Sequence, residues 1–250
     1  MERKCFVCEG ELIFFGKRLG YQYDQCVNCR SIQLNPMPSI EEISSFYNEE
    51  YIGTGHHERD PLLCNREKRN HYLSIIKALI KNKAEGLVLD YGTGWGGLSE
   101  LLIKNNFETI GIELSEEMVA YCQKNKLPVR HGDIKSLTNM KEAFGTVVLC
   151  TVFEHLTNIE EFLQDMKTLI KKNGFFISLH PTSIFPDLMI RLFRLWNGNS
   201  DLPALHKAFF PPYHTNLISL KGMEILMNRH GFELVSITPA LQSRANNFTR

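Results

Sequence analysis

An apolar run, Leu87-Val88-Leu89-Asp90-Tyr91, stops at Gly92-Thr93-Gly94-Trp95-Gly96-Gly97, and a helix is expected to open at once over residues 97–105. Glycines at such a junction let the backbone turn sharply and come close to a ligand. The alternation continues downstream, with strands expected over 108–113, 127–131, 144–151 and 174–180 and helices over 115–125 and 158–171. Repeated strand–helix units with apolar strands imply a parallel sheet covered on both faces, an α/β doubly wound fold. Ligands in such sheets bind outside the carboxyl ends of the strands, where the strand order reverses.

The chain has 250 residues, 43% hydrophobic and 22% charged, which is ordinary globular composition with room for a sizeable core. Lysine plus arginine and aspartate plus glutamate each total 28. No net positive field exists to hold a nucleic acid by counterion release, so none is expected as a partner. The longest uncharged stretches, 143–153 and 174–186, fall well short of the ~20 apolar residues a bilayer span requires, so no transmembrane segment is expected. Met1-Glu2-Arg3-Lys4-Cys5 is not followed by an apolar core and cleavage site, so a cytoplasmic location is expected.

Four of the seven cysteines form two Cys-x2-Cys pairs, Cys5/Cys8 and Cys26/Cys29, while Cys64, Cys122 and Cys150 stand apart. Two short knuckles of this spacing point four thiolates at one centre, the tetrahedral set that zinc prefers. With all four positions filled by the protein, this Zn2+ is expected to be structural, and it would supply most of the folding free energy of so small a module. Residues 1–38 are therefore read as a zinc ribbon.

After Asn35-Pro36-Met37-Pro38, the Ser39-x-x-Glu42 pattern of a capping box starts a short helix to about Tyr47, and a Gly/His-rich loop follows at 53–57. A second helix is expected over 65–82, its apolar face made by Tyr72, Ile75, Ile76, Leu79 and Ile80. Residues 39–83 thus read as a helical connector and cofactor lid, and 84–250 as the main domain. Toward the end, 220–229 is expected to be a helix and 232–237 a strand, with no convincing apolar strand in 239–250. A sheet ending there would leave an edge for a tail, or for a second copy in a homodimer, to cover.

Gly92, Gly94 and Gly97 satisfy Gly-x-Gly-x-x-Gly, and Glu113 lies near the distance of a ribose-binding acid. Glycines alone do not choose the ligand. Asp90, two residues before the first glycine, would repel a dinucleotide's pyrophosphate. Its charge suits S-adenosylmethionine, which has no phosphate but carries an ammonium and a sulfonium.

The stretches Val88–Gly94, Gly111-Ile112-Glu113-Leu114-Ser115, His131-Gly132-Asp133-Ile134 and Glu154-His155-Leu156 occur together with the ribbon, Phe46-Tyr47 and His230-Gly231-Phe232-Glu233. In this combination the chain resembles class I S-adenosylmethionine-dependent methyltransferases, in particular those with an N-terminal zinc-binding ribbon. The resemblance runs over nearly the whole chain and implies a Rossmann-like methyltransferase sheet. It also implies a cofactor loop of Asp90, Tyr91, Gly92, Thr93 and Gly94, with Gly92 and Gly94 meeting the methionine portion. Glu113 would accept both ribose hydroxyls, Leu114 and Met118 would pack on the adenine, and Asp133 and the Ile134 backbone would read its edge. Cys150 and Thr151 would lie near the reacting methyl group, and Tyr47 or Tyr51 could close over the cofactor. Plainer roles stand beside these: a turn for Asp133, core packing for Met118, a solvated strand end for Glu113.

Methyl transfer to a hydroxyl needs a base, and histidine titrates near neutral pH. His155 is the first candidate, because Glu154-His155 follows a strand end, and His214, in Pro211-Pro212-Tyr213-His214, is the second. His180 also lies at a strand end, whereas His206 and His230 read as loop and helix-end residues. Similar quinone O-methyltransferases carry Glu-x-x-Glu-His, which can support a metal. Here Thr151 replaces the first glutamate, which weighs against both a catalytic metal and a quinone acceptor.

Residues 183–196 carry apolar side chains at helical spacing with Arg191 and Arg194 interspersed, a face that packs on the domain or a partner, or else serves as an acceptor lid or a lipid-facing surface. The acceptor implied by the ribbon-bearing relatives is a small molecule, a sugar or nucleotide-sugar. The competing functions are RNA or protein methylation guided by the ribbon, and a non-catalytic binding module that keeps the cofactor fold.

Overall fold

The computed structural model describes residues 4–39, 42, 60–197 and 209–240, apart from the side chains of Met189 and 193–197. It forms two compact units that do not follow chain order. The first comprises the described residues of Met1–His57, Glu154–Ile159 and His180–Ile237, and the second those of Glu58–Phe153, Glu160–Leu179 and Thr238–Arg250. The expected boundaries at 38 and 83 differ from these units because residues 180–237 hydrogen-bond to the ribbon and the helix over 61–81 belongs to the core of the second unit.

In the second unit the helix α1 (Pro61–Lys81) is capped by Asp60, whose side chain accepts from Leu62 N, with Pro61 in the first turn. This cap starts the helix four residues earlier than its apolar spacing indicates, since Pro61 has no amide hydrogen to leave unsatisfied. Five strands follow, β4 (Leu87–Tyr91), β5 (Thr109–Glu113), β6 (Val129–His131), β7 (Phe144–Cys150) and β8 (Ile170–Leu179). They pair in parallel in the order β6-β5-β4-β7-β8. The order reverses at β4, which has β5 on one side and β7 on the other, so the carboxyl ends of these three strands surround one crevice. The connections carry α2 (Gly97–Lys104), α3 (Glu116–Lys124) and α4 (Ile159–Leu169).

One core cluster joins Tyr72, Ile75, Ile76 and Leu79 of α1 with Leu98, Leu101 and Leu102 of α2 and Val88 and Val148 of the sheet. All seven residues of β7 are buried, as its unbroken apolar run indicates for a central strand. Along β8 the register jumps from Phe144↔Ile170 to Thr146↔Phe175, so residues 171–174 loop out before regular pairing resumes close to the expected start at Gly174. Thus α4 ends at Leu169 and not at Lys171.

The first unit is built on an antiparallel sheet of order β1-β2-β3-β9, with β1 Leu12–Arg18, β2 Tyr21–Cys26, β3 Ile32–Leu34 and β9 Asn216–Leu217. Its core comprises Phe15, Tyr23, Ile32, Leu34, Ile190, Phe209 and Leu217. The helix α5 (Ile184–Asn197) contributes Ile190 and leaves Ile184, Phe185, Leu188 and Leu192 exposed. The helix α6 (Leu220–Arg229) starts at its Ser219 cap, matching the expected bounds. Ser219 Oγ also donates to the Cys29 carbonyl, and Arg229 reaches the Val7 carbonyl. The expected capping box is present, with Ser39 N donating to Glu42 Oε2 at 2.6 Å and Glu42 N to Ser39 Oγ at 3.1 Å. The rest of that helix, the loop at 53–57 and residues 241–250 lie outside the described residues.

The strand expected over 232–237 does not form. Leu234, Val235 and Ile237 are exposed, and the segment joins no sheet among the described residues. β-Propensity expresses itself only against a pairing neighbour.

Gly145 in β7 shows how tightly the sheet is closed: a Cβ there would overlap the carbonyl oxygen of Glu85, a backbone atom that cannot swing aside. Gly145→Ala is therefore expected to cost about 3 kcal/mol of unfolding free energy in a urea titration.

Candidate functional site

The glycine loop leaves β4 at the point where the strand order reverses. Asp90, 1% exposed, accepts from Ser99 Oγ at 2.7 Å in the first turn of α2. Burial pushes its carboxyl up to about 6, with the Ser99 hydrogen bond opposing and the Glu113 charge adding to the rise. Thr93 Oγ1 donates to the carbonyls of Asp90 (2.9 Å) and Ile112 (3.3 Å), tying the loop to the ends of β4 and β5. On one flank Asn65 Nδ2 donates to Trp95 O at 3.0 Å, and on the other Cys122 Sγ donates to Gly94 O at 3.4 Å.

Gly92 and Gly94 both have positive φ, at 73° and 58°. At Gly92 a Cβ would run into Val152, while at Gly94 nothing lies within 4 Å of the Cβ position. The loop therefore presents bare backbone around an open cradle at Gly94. Glu113, at the end of β5, faces this cradle. Its Oε2 accepts from Gly94 N at 2.8 Å, and its Oε1 accepts from Leu114 N (2.8 Å) and Ser115 N (3.0 Å). A carboxylate offers about four lone-pair sites, and three backbone donors use three of them.

The remaining expected cofactor residues are distributed as follows. Leu114 is 67% exposed directly after β5, and Met118 is half-buried in the first turn of α3. Asp133 Oδ1 accepts from Lys135 N (3.0 Å) and Ser136 N (3.2 Å), capping a short 3-10 turn that begins at the buried Ile134. Tyr91 packs edge-on against Phe162 at 5.1 Å. Burial pushes its phenol up to about 12, the Asp133 charge adding to the rise and the Ile134 amide opposing it. The Cys150 side chain packs in the core cluster with Tyr72 and Val148. Cys150 is the last residue of β7 and Thr151 follows it directly. Thr151 has φ +56°, a conformation rare for a β-branched residue and concentrated at functional sites. Its Oγ1 accepts from Lys68 Nζ at 3.2 Å. Tyr47 and Tyr51 lie outside the described residues.

Ser99, Asn65 and Lys68 were not singled out by the sequence. Ser99 follows the loop at helical distance from Asp90 and could have been found as the first-turn hydroxyl. Asn65 and Lys68 had no signal, because the packing of α1 alone brings them to the loop and to Thr151.

In the first unit, His155 and His214 come together with ring centroids 5.0 Å apart. His155 Nδ1 lies 2.9 Å from the Tyr213 carbonyl, which can only accept, so Nδ1 carries the hydrogen and a neutral ring keeps its lone pair at Nε2. Burial pushes His180 down to about 4, which makes it a weak base near neutral pH. His230 caps the end of α6, as expected of a helix-end residue, and His206 lies outside the described residues.

The four ribbon cysteines also converge. Their sulfurs lie within 4.8 Å of one another, with Cys5–Cys29 at 3.7 Å and Cys8–Cys26 at 3.4 Å. Four sulfurs at tetrahedral zinc would be ~3.8 Å apart, given Zn–S bonds of about 2.3 Å. The two knuckles match: Glu9 N donates to Cys5 O and Arg30 N to Cys26 O, and Glu9 and Arg30 both take positive φ, 58° and 65°. The neighbouring Cys29 thiol pushes Cys5 up, and burial pushes Cys8 up to about 11. These thiols would hold their protons unless a cation compensates the charge, and a divalent metal fits that donor set.

The family described as "Methyltransferase domain" matches residues 64–237, more than half of the chain. An uncharacterized methyltransferase of Anoxybacillus flavithermus is 31% identical over 113 residues, 44% of this chain and 53% of that protein. A ubiquinone biosynthesis O-methyltransferase of Rickettsia bellii is 25% identical over 151 residues, 58% of this chain and 60% of that protein. The chain thus spans less than two thirds of these relatives' lengths. Among solved structures, a Burkholderia thailandensis 1,6-didemethyltoxoflavin-N1-methyltransferase superposes with TM-score 0.58 at 13% identity, covering 93% of each chain. A SAM-dependent methyltransferase of Archaeoglobus fulgidus gives TM-score 0.50 at 20% identity over 74% of this chain and 75% of that one. Both share the fold of the parallel sheet described above, and with the family match across residues 64–237 the chain belongs to the methyltransferase-domain family.

Proposed function

We propose that the chain transfers the methyl group of S-adenosylmethionine to a hydroxyl of a small-molecule acceptor, a sugar or nucleotide-sugar. The observation that carries the cofactor assignment is the bare-backbone cradle at Gly94, whose amide donates to Glu113, on a loop that starts at the buried carboxylate of Asp90. Bound there, S-adenosylmethionine supplies an activated methyl group on a sulfonium.

The chain's own residues then have definable tasks. Asp90 complements the positive charge of the cofactor's amino-acid end, directly or through water, while Ser99 holds its carboxylate in place. Glu113 accepts from the ribose hydroxyls, using its remaining lone pair first and exchanging the Gly94 amide for the second donor. Leu114 and Met118 offer apolar surface to the adenine, and Asp133 with the Ile134 amide reads its edge. Gly92, Thr93 and Tyr91 shape the loop, and Thr151 holds the end of β7. Tyr47 is assigned to the lid.

Transfer to oxygen is supported by one relative named as an O-methyltransferase, and the sugar class rests on the resemblance to ribbon-bearing enzymes. His155 is assigned as the base that takes the hydroxyl proton at Nε2, with His214 as the second candidate. Zinc at Cys5, Cys8, Cys26 and Cys29 is structural. No described helix is long and apolar enough to cross a membrane.

Glu113→Ala is expected to weaken S-adenosylmethionine binding by about tenfold or more in isothermal titration, through loss of charge-assisted hydrogen bonds. Unchanged affinity would remove the ribose assignment. Radiolabelled methyl transfer to a panel of nucleotide-sugars, with the product position read by NMR, tests the acceptor.

Asp90 has a carboxyl raised from 3.8 to about 6 in the fold, so its contribution to stability is fully present below about pH 4 and is lost as pH rises through about 6. A shift of this size amounts to about 3 kcal/mol. Asp90→Asn should flatten that slope, melt higher than wild type at pH 8 and bind S-adenosylmethionine more weakly. A variant that melts lower at pH 8 and binds normally would contradict both roles.

Stripping metal with a chelator is expected to lower the melting temperature by several degrees, with recovery on adding zinc back. Cys8→Ser should abolish zinc retention.

A further inference from the structure

Besides the cysteine cluster, a second group of side chains among the described residues brings metal-ligating atoms together. Glu154, His155 and His214 each present one such atom, and all three lie within 4.8 Å of one another. We propose that these residues bind a divalent transition-metal ion, separate from the one at the cysteines, with coordination positions left open for water or an oxygen ligand. The proposal is read by metal binding and does not depend on S-adenosylmethionine, but it replaces the base role given above to His155, since one Nε2 lone pair does not both ligate a metal and take a proton.

The donor set consists of one carboxylate and two imidazoles, which suits zinc, cobalt(II) or iron(II) better than calcium or magnesium. Its frame is built from both segments that supply the ligands. Thr215 donates to Glu154 O through N at 2.9 Å and through Oγ1 at 3.1 Å, and Oγ1 also lies 2.9 Å from Leu156 O. Asn216 Nδ2 donates to Leu156 O at 3.2 Å. From the ribbon side, Tyr23 Oη donates to His214 O at 2.9 Å, and β9 pairs with β3 directly after Thr215. Ligands fixed on such a cross-linked backbone need little reorganisation to bind an ion.

The ring of His155 is oriented for ligation. Its Nδ1–H donates to the Tyr213 carbonyl, which leaves the Nε2 lone pair for a metal, the outer contact that metal-binding imidazoles commonly make. Glu154 is 2% exposed, and a carboxylate taken so far out of water is costly unless positive charge compensates it. A dication bound beside it would add such charge. With three protein ligands, a metal of this kind can lower the pKa of a bound water or hydroxyl toward neutrality.

The test uses the whole chain, first saturated with zinc at the cysteines and then titrated with cobalt(II) by calorimetry and visible absorption. The expected result is one further equivalent, with weak d–d bands and no thiolate charge-transfer band. Glu154→Gln and His214→Ala should each weaken this binding by about tenfold or more, with zinc content and circular dichroism reporting that the variants are folded. If a variant unfolds, copper(II) electron paramagnetic resonance on the wild type decides, through superhyperfine coupling to two imidazole nitrogens. A wild-type chain that takes up no metal beyond the cysteine zinc overturns the proposal. So does a second equivalent that both folded variants retain, or a copper spectrum without the two-nitrogen coupling.

Discussion

The buried carboxylate of Asp90 is the interaction on which the glycine loop depends. It sits at the end of the strand where the sheet order reverses, and it bonds to Ser99 at the start of α2. A carboxylate at a helix N-terminus satisfies donors that the helix leaves unpaired and complements the positive end of its dipole. That compensation is partial, since burial still raises Asp90 to about 6. Thr93, Asn65 and Cys122 fix the rest of the loop from β5, α1 and α3, so the bare backbone at Gly94 is held in place by three elements.

The first unit answers a different physical problem. A ribbon of three short strands has too little apolar surface to fold alone, and metal is one remedy. Residues far along the chain are a second: β9 extends the sheet, Phe209 and Leu217 enter its core, and the N-cap of α6 bonds to the second knuckle. Tyr23 joins both remedies, its ring packed edge-on to Phe209 at 5.0 Å and its hydroxyl on the His214 carbonyl. The cysteine knuckles and the segment carrying His214 are thus parts of one folded body.

Much of the second unit was legible because its signals are local. Leu87–Tyr91 is a strand at the expected residues, and Ser115 and Asn125 bound α3 as cap residues. The cysteine spacing likewise foretold a convergence that the sulfur distances bear out. Illegible features were those that depend on a distant partner. β9 has only two residues and no periodicity, and it exists because β3 offers an edge. Residues 232–237 have strand-like composition but no pairing neighbour among the described residues, so that signal misled. Cys150 closes β7, and the alternation of side chains along the strand sets it beside Val148 in the core cluster. The roles of Asp90 and Glu113 were legible as charges at strand ends, but their backbone and hydroxyl partners were not.

The histidines carry the same lesson one step further. Nine histidines cannot be ranked by proximity to strand ends alone, because the relevant neighbour of His155 is 59 residues away. What joins the two segments is a pair of polar side chains with almost no exposure, Thr215 at 0% and Asn216 at 1%. Buried polar groups are costly unless bonded, and these two spend their donors on the carbonyls of Glu154 and Leu156. Such bonds hold residues 154–156 and 213–217 in one geometry that neither segment would keep alone. At the position of the first glutamate of the Glu-x-x-Glu-His pattern this chain has Thr151. A third donor arrives from His214 through that polar frame, and the chemistry available at Glu154 and His155 is set by the frame as much as by the motif.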